Sequence, residues 1–338
     1  MESPTIAAPF VVNMLQGAKD QGFSIEQILI DCEISPSILH KPQARITFDQ
    51  INRLGHNLWR LLNDECYGLV DKPQPRNSFK LMCYSALHGD TLGDVLATMV
   101  EFVNILANSI SCELVRERDL WKIRMTRRAG ANIKNNYALE HLMLTVHRTL
   151  RWFGNTAIPV ARADLDFPKP HYHSEYRYIF FGAPCHFDQA RCALHFDSMS
   201  MQQPNTRSMK ELKHFLRHSP LTLLSQTVAA DNLSMKLRQW LEQQLRRHQQ
   251  VPNIDRAALQ FDLHPQALRR QLKQENSCYQ EIKMECRRDL AINLVNNQQD
   301  SIEEVAYKLG FADLSTFIRA FKSWTGLTPL AYRKVGKA

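Results

Sequence analysis

The feature that most constrains this chain is a pattern used twice near its C-terminal end. Ile254, Ala258, Phe261 and Leu263 recur 48 residues later as Ile302, Ala306, Leu309 and Phe311. After one inserted residue, Leu268, Arg270, Leu272 and Lys273 recur as Phe317, Arg319, Phe321 and Lys322. Apolar residues at three- and four-residue steps on both sides of a short break predict a helix, a turn and a second helix in each copy.

Local chemistry supports that reading. In the second copy Ser301 and Glu304 have capping-box spacing, and Gly310 supplies a left-handed turn residue. Asp313 is placed to cap the next helix, whose Phe317, Phe321 and Trp324 face inward. Leu314, Ser315, Ile318, Arg319 and Lys322 are then left outward. In the first copy Asp262 stands in place of the turn glycine, and Asp tolerates the left-handed region better than most residues. Pro265 sits at the first helical position, where its missing N–H costs nothing. Leu268 and Leu272 point inward, and Gln266, Ala267, Arg269, Arg270 and Lys273 point out.

Between the copies Tyr279, Ile282, Cys286, Leu290 and Leu294 trace one apolar stripe, which predicts a single helix from about Tyr279 to Asn296. Such a rod, roughly 27 Å long at 1.5 Å per residue, would hold the two outward-facing helices about one DNA turn (~34 Å) apart. One chain would then present two recognition helices to successive major grooves.

Composition agrees with two ordinary domains: 338 residues, 44% hydrophobic and 22% charged. From Asp231 onward 17 Lys and Arg stand against 12 Asp and Glu, so +5 of the +8 formal charge sits in the last third. That bias fits a polyanionic partner. Arg238, Arg246, Arg247 and His248 fall on the helix that opens this region, whose inward stripe is Met235, Leu237, Trp240, Leu241 and Leu245. Phosphate contact or a solvated face is expected for those arginines. No apolar run approaches the ~18 residues of a membrane span, and the N-terminal residues lack the charged and apolar regions of a secretory signal. A cytoplasmic location without membrane contact is therefore expected. Eight cysteines without a CxxC pair point to free thiols in a reducing compartment.

The first two thirds of the chain mix periods. Thr47 with Gln50, and Ser24 with Gln27, have capping-box spacing before helical patterns, and Phe48, Ile51, Leu54, Leu58, Leu61 and Leu62 make an amphipathic helix. A second runs through Leu92, Val95, Leu96, Met99, Phe102, Val103 and Leu106, and a third from about Tyr137 to Phe153. Ile110 to Arg116 and Leu120 to Thr126 read as paired strands around Arg118-Asp119, and Val160 to Phe167 alternates as a strand does. The fold class is thus an α+β domain followed by an all-α domain with two helix-turn-helix motifs joined by a long helix. Residues 5–200 are expected to form the first domain and 201–231 a linker with a short helix near Met209 to Arg217. Residues 232–338 follow as the second domain, with helix-turn-helix units at about 254–273 and 302–324.

No GxGxxG, Walker loop or GxSxG occurs, so neither an enzyme nor a cofactor is expected. His171, His173, His186, His195, Cys185 and Cys192 are metal-capable, but their spacing matches no known site and no metal is expected. Pro184-Cys185-His186 is similar to the nucleophile motif of alkylguanine-DNA alkyltransferases, with Phe187 in place of its arginine. An alkyl acceptor acting on DNA through Cys185 is accordingly one alternative function, and an architectural DNA binder without sequence preference is another.

The stretch from Ile254 to Arg333, above all Ser301 to Lys334, closely resembles the AraC/XylS family of bacterial transcription regulators. The resemblance is carried by Ile302, Ala306, Gly310, Phe311, Phe317, Arg319, Phe321, Lys322, Gly326, Pro329, Tyr332 and Arg333. Gly22 to Leu54 and Asp166 to Phe196 are similar to the arabinose-binding-type N-terminal domain carried by ornithine-utilisation regulators. The resemblance implies DNA-facing roles for Gln266, Ala267, Arg269, Arg270 and Lys273 in the first unit. In the second it implies them for Leu314, Ser315, Thr316, Arg319 and Lys322. Arginine and glutamine can bond guanine or adenine edges bidentately. Double-stranded promoter DNA and RNA polymerase are the implied partners, with a small-molecule effector, a homodimer and an activating role as further expectations. The first unit, with Gln266, Arg269 and Arg270, is expected to carry more of the sequence discrimination, and the second more of the anchoring.

Overall fold

The period-two stretches flanking Arg118-Asp119 form a hairpin in the computed structural model, which describes residues 5–180, 182–217, 232–248, 251–275 and 277–334. Strand Ile110–Arg116 pairs antiparallel with Leu120–Arg127, and Glu117 N–H donates to the Leu120 carbonyl at 2.8 Å to close the turn. The sheet continues through Cys192–Asp197, Val160–Asp164 and Cys185–His186, and only the last two are parallel. Helix Leu92–Leu106 opens with a complete Thr91/Asp94 capping box and buries Val95, Leu96, Met99 and Val103. Helix Tyr137–Gly154 buries Leu139, Met143, Val146 and Leu150. These elements belong to a compact unit made of Phe10–Ile25 and Asn52–Ala229, an α+β assembly of the kind the period changes imply.

A buried carboxyl in this unit makes stability depend on pH. Glu140 Oε1 accepts from the Tyr176 hydroxyl at 2.5 Å, while Oε2 has no hydrogen-bond partner. Burial pushes this carboxyl up to about 7 from its ordinary 4.5. The native state therefore holds a proton that the unfolded chain releases, and stability should fall as pH rises from 4.5 to 7. Glu140→Gln should flatten that part of a Tm profile. An unchanged slope in the variant would remove Glu140 as its source.

The other compact unit consists of Met1–Pro9, Glu26–Ile51 and Ala230–Ala338, so compactness does not follow chain order. Apart from the short antiparallel pair Ile6–Ala7 with Arg45–Ile46, the regular elements among its described residues are helices. Helix Tyr279–Asn297 serves two cores. Tyr279, Ile282 and Cys286 join Leu237, Leu241, Leu268 and Leu272 in one. Leu290, Ala291, Ile292 and Val295 join Val305, Leu309, Phe317 and Phe321 in the other. Of the expected linker, residues 218–231 lie outside the described residues; the remainder includes helix Met209–Arg217, whose start is capped by Ser208 and Glu211.

The joining helix forms as a single element with its apolar stripe inward, and Glu285, Asp289 and Asn293 are buried beside that stripe. One expectation needs correction here: Arg238 does not lie on a solvated or phosphate-facing surface but is buried, 2.5 Å from Asp289, 2.9 Å from Glu242 and 3.6 Å from Glu285. Asp289 also accepts from Arg288 Nε at 3.0 Å and from the Thr5 hydroxyl at 2.5 Å, with Arg45 3.8 Å away. Three arginines facing three carboxylates give a near-neutral cluster, which is how so many charges can leave water together.

Candidate nucleic-acid interface

Each copy of the repeat folds as a helix, a tight turn and a second helix, and the same backbone bond closes both turns. Leu263 N–H donates to the Ala258 carbonyl at 2.9 Å, and Phe311 N–H donates to the Ala306 carbonyl at 3.1 Å. The turn residue is left-handed in both, Asp262 at φ +53° and Gly310 at φ +70°. The aspartate thus adopts the conformation that the glycine has in the second copy.

In the first unit Asn253 caps helix Ile254–Gln260 by accepting from Arg256 N–H at 2.9 Å. Helix Pro265–Gln274 begins with Pro265 behind His264 and buries Leu268 and Leu272. Gln266, Arg269, Arg270 and Lys273 are exposed on its other side, and Ala267 is half-buried. Asn276, which stands after this helix, lies outside the described residues.

In the second unit Ser301 and Glu304 complete a reciprocal capping box, with bonds of 2.7 and 3.1 Å. Asp313 Oδ1 accepts from Thr316 N–H at 2.7 Å to start helix Leu314–Thr325. Phe317 and Phe321 are buried, and Trp324 packs against their cluster half-buried. Leu314, Ser315, Arg319 and Lys322 are exposed. Thr316 differs from them: it is half-buried, and its hydroxyl donates to Asp313 at 2.7 Å. Its polar group serves the helix start.

Electrostatics separate the basic side chains into two groups. Arg45, Arg238 and Arg288 are consumed by buried carboxylates, and Arg333 Nε donates to the Val295 carbonyl at 3.2 Å. Arg269, Arg270, Lys273 and Lys322 make no ion pair among the described residues, while Arg319 bonds the Thr316 hydroxyl at 3.4 Å and helps to hold the Asp313 carboxyl below its ordinary value. Exposed cations on the outer faces of two short helices, four of them without an ion pair among the described residues, form a surface suited to a polyanion groove.

Residues 257–335 match the helix-turn-helix domain family, and residues 22–205, more than half the chain, match the family described as the arabinose-binding domain of AraC transcription regulator, N-term. The chain belongs to the AraC family of transcription regulators. The regulator is 24% identical to the ornithine utilization regulator of Pseudomonas aeruginosa, over 95% of this chain and 94% of that protein. It is 22% identical to the uncharacterized HTH-type transcriptional regulator Mb1430 of Mycobacterium bovis, over 94% and 93% of the two chains. The porin thermoregulatory protein EnvY of Escherichia coli is 38% identical over 24% of this chain and 32% of its own. The regulator is thus a DNA-binding protein with an N-terminal ligand-binding domain.

The other groups singled out in the sequence are dispersed. His195 bonds Asp164 at 2.8 Å, the Cys192 thiol lies 3.3 Å from Asp166, and His173 contacts the Pro170 carbonyl. No three His, Cys, Asp or Glu side chains converge as metal ligands among the described residues. Burial pushes the Cys185 thiol up to about 12, the opposite of what an activated nucleophile requires. All eight cysteines are free thiols. No described helix is long and apolar enough to cross a membrane.

Proposed function

We propose that the regulator is a cytoplasmic activator that binds specific promoter DNA with both recognition helices while its N-terminal domain responds to a small molecule. The observation that carries this reading is the pair of exposed helix faces on which Arg269, Arg270, Lys273 and Lys322 make no ion pair among the described residues. Gln266, Arg269 and Arg270 supply base-reading chemistry in the first unit. Ala267 and Leu314 offer apolar contact to a thymine methyl, and Ser315, Arg319, Lys273 and Lys322 reach phosphate or base edges. Thr316 contributes by holding the helix N-terminus in place. RNA polymerase is the second partner in this reading, and a homodimer formed through the N-terminal domain is its working assembly.

Arg269 provides the sharpest test. Arg269→Ala should weaken binding to a selected site by about 1 to 3 kcal/mol and relax preference at one base position. Affinity would be measured at fixed salt against the selected site and its single-base variants. Equal weakening on every sequence, including non-specific DNA, would reassign Arg269 to the phosphate backbone. Selection of the site from randomised DNA also tests the architectural alternative, which requires that no sequence be enriched.

A further inference from the structure

The α+β unit contains a pocket lined mainly by apolar side chains, with a cavity volume of about 80 Å3, well below the roughly 300–1,000 Å3 of drug-sized sites and suited only to a small molecule. Phe79, Met82, Phe102, Val103, Leu106 and Leu142 form its greasy wall. Its polar lining is sparse. Gln74, Asn108, His141 and Thr145 are neutral hydrogen-bonding groups, and no lysine or arginine lines it. His141 stacks on Tyr137 with ring centroids 5.9 Å apart, and burial holds its imidazole down to about 4, so it is uncharged at neutral pH.

Glu65 is the one formally charged lining residue. Its carboxylate already accepts from the backbone N–H of Asn77 at 2.7 Å and of Phe79 at 2.8 Å, and from Gln74 Nε2 at 3.2 Å. An anionic ligand would therefore be stripped of water among apolar walls, with a carboxylate and no cation nearby, which is strongly unfavourable. A cation would have to share oxygens that are committed to the start of helix Ser78–Ala86.

We propose that this pocket is the effector site and that it takes a small, uncharged, largely apolar molecule, no larger than a single ring, carrying a single hydrogen-bonding group. His141 and Thr145, four residues apart on helix Tyr137–Gly154, provide the polar contact. The proposal rests on the reading that the N-terminal domain responds to a small molecule, and it adds the location and the charge selectivity.

Three probes of one shape test it on the full chain by calorimetry: benzyl alcohol, benzoate and benzylammonium. The alcohol should bind one per chain at least tenfold more tightly than either ion, and Leu106→Trp, which fills the pocket, should abolish that binding. Thr145→Lys should create benzoate binding, a gain that a misfolded variant could not produce. An ion binding as tightly as the alcohol, alcohol binding that survives Leu106→Trp, or benzoate still excluded by Thr145→Lys would each overturn the site. Promoter affinity measured with saturating alcohol separates the two levels. Selective binding that leaves promoter affinity unchanged would remove the regulatory role and keep the site, whereas lost selectivity would remove the site and keep the regulatory reading.

Discussion

Asp289→Ala is expected to destabilise the unit that contains both helix-turn-helix motifs by about 3 kcal/mol, the lower end of the ~3–5 kcal/mol typical when one partner of a buried ion pair is removed. Asp289 is buried at the centre of the cluster and shields Arg238, Arg288 and Arg45 from one another. Alanine would leave those guanidinium groups short of negative charge and take the acceptor from the Thr5 hydroxyl. Glu242 and Glu285 remain beside Arg238, which is why the loss should lie at the lower end. Urea denaturation reads the effect, and a loss below about 1 kcal/mol would place this pair with exposed ones.

The pH dependence has a definite sign. Burial by itself raises the Asp289 carboxyl, but Arg288, Arg238 and Arg45 outweigh it and hold the group well below the usual carboxylate range. A depressed pKa stabilises the native state fully above the unfolded value of ~4, and that stabilisation is lost as pH falls toward the folded value. Wild type should lose stability on acidification more steeply than Asp289→Asn, which keeps the side chain's shape without its charge.

This cluster also marks where the sequence stopped being legible. The two repeat units were readable because each residue choice had one local meaning: Ser301 with Glu304, Gly310, Asp313 and Pro265 are statements about helix ends, and the structure uses each of them that way. Arg238, Glu285 and Asp289 were opaque because charges at helical spacing ordinarily mean a solvated face. Their burial depends on Thr5 and Arg45, which are distant in sequence, and no local pattern reports such a meeting. The i, i+4 pair Arg238 with Glu242 beside the Leu237–Leu241–Leu245 stripe was the available hint. Compactness was equally hidden: Tyr332 donates to the Arg45 carbonyl at 2.6 Å and Lys41 to the Gly326 carbonyl at 2.9 Å, so residues early in the chain pack with its end. Thr316 shows the same limit on a smaller scale. Its position on the outer turn was readable, but its hydroxyl's commitment to Asp313 was not.

The division of the helical region into two cores leads to the other large effect. Phe321 is fully buried, with its ring edge-on to Phe317 at 5.7 Å and to Tyr332 at 5.6 Å between centroids. Phe321→Ala should remove about 3 to 5 kcal/mol from that core. Leu237, Leu241, Leu268 and Leu272 belong to the other core, so the first unit should keep its packing. Hydrogen exchange should then show protection lost across helices Ile302–Lys308 and Leu314–Thr325 and retained across Pro265–Gln274. On DNA the footprint should shorten to the half bound by the first unit, with base preference there preserved, because Gln266, Arg269 and Arg270 stand on the surviving core. Helix Tyr279–Asn297 contributes to both cores, as does helix Leu233–His248 through Leu237, Leu241 and Leu245, and Val251 packs against both, so these are routes by which damage could spread. Equal loss of protection in both units would mean that these shared elements couple them into a single cooperative body, and the assignment of discrimination to one unit and anchoring to the other would then have no structural basis.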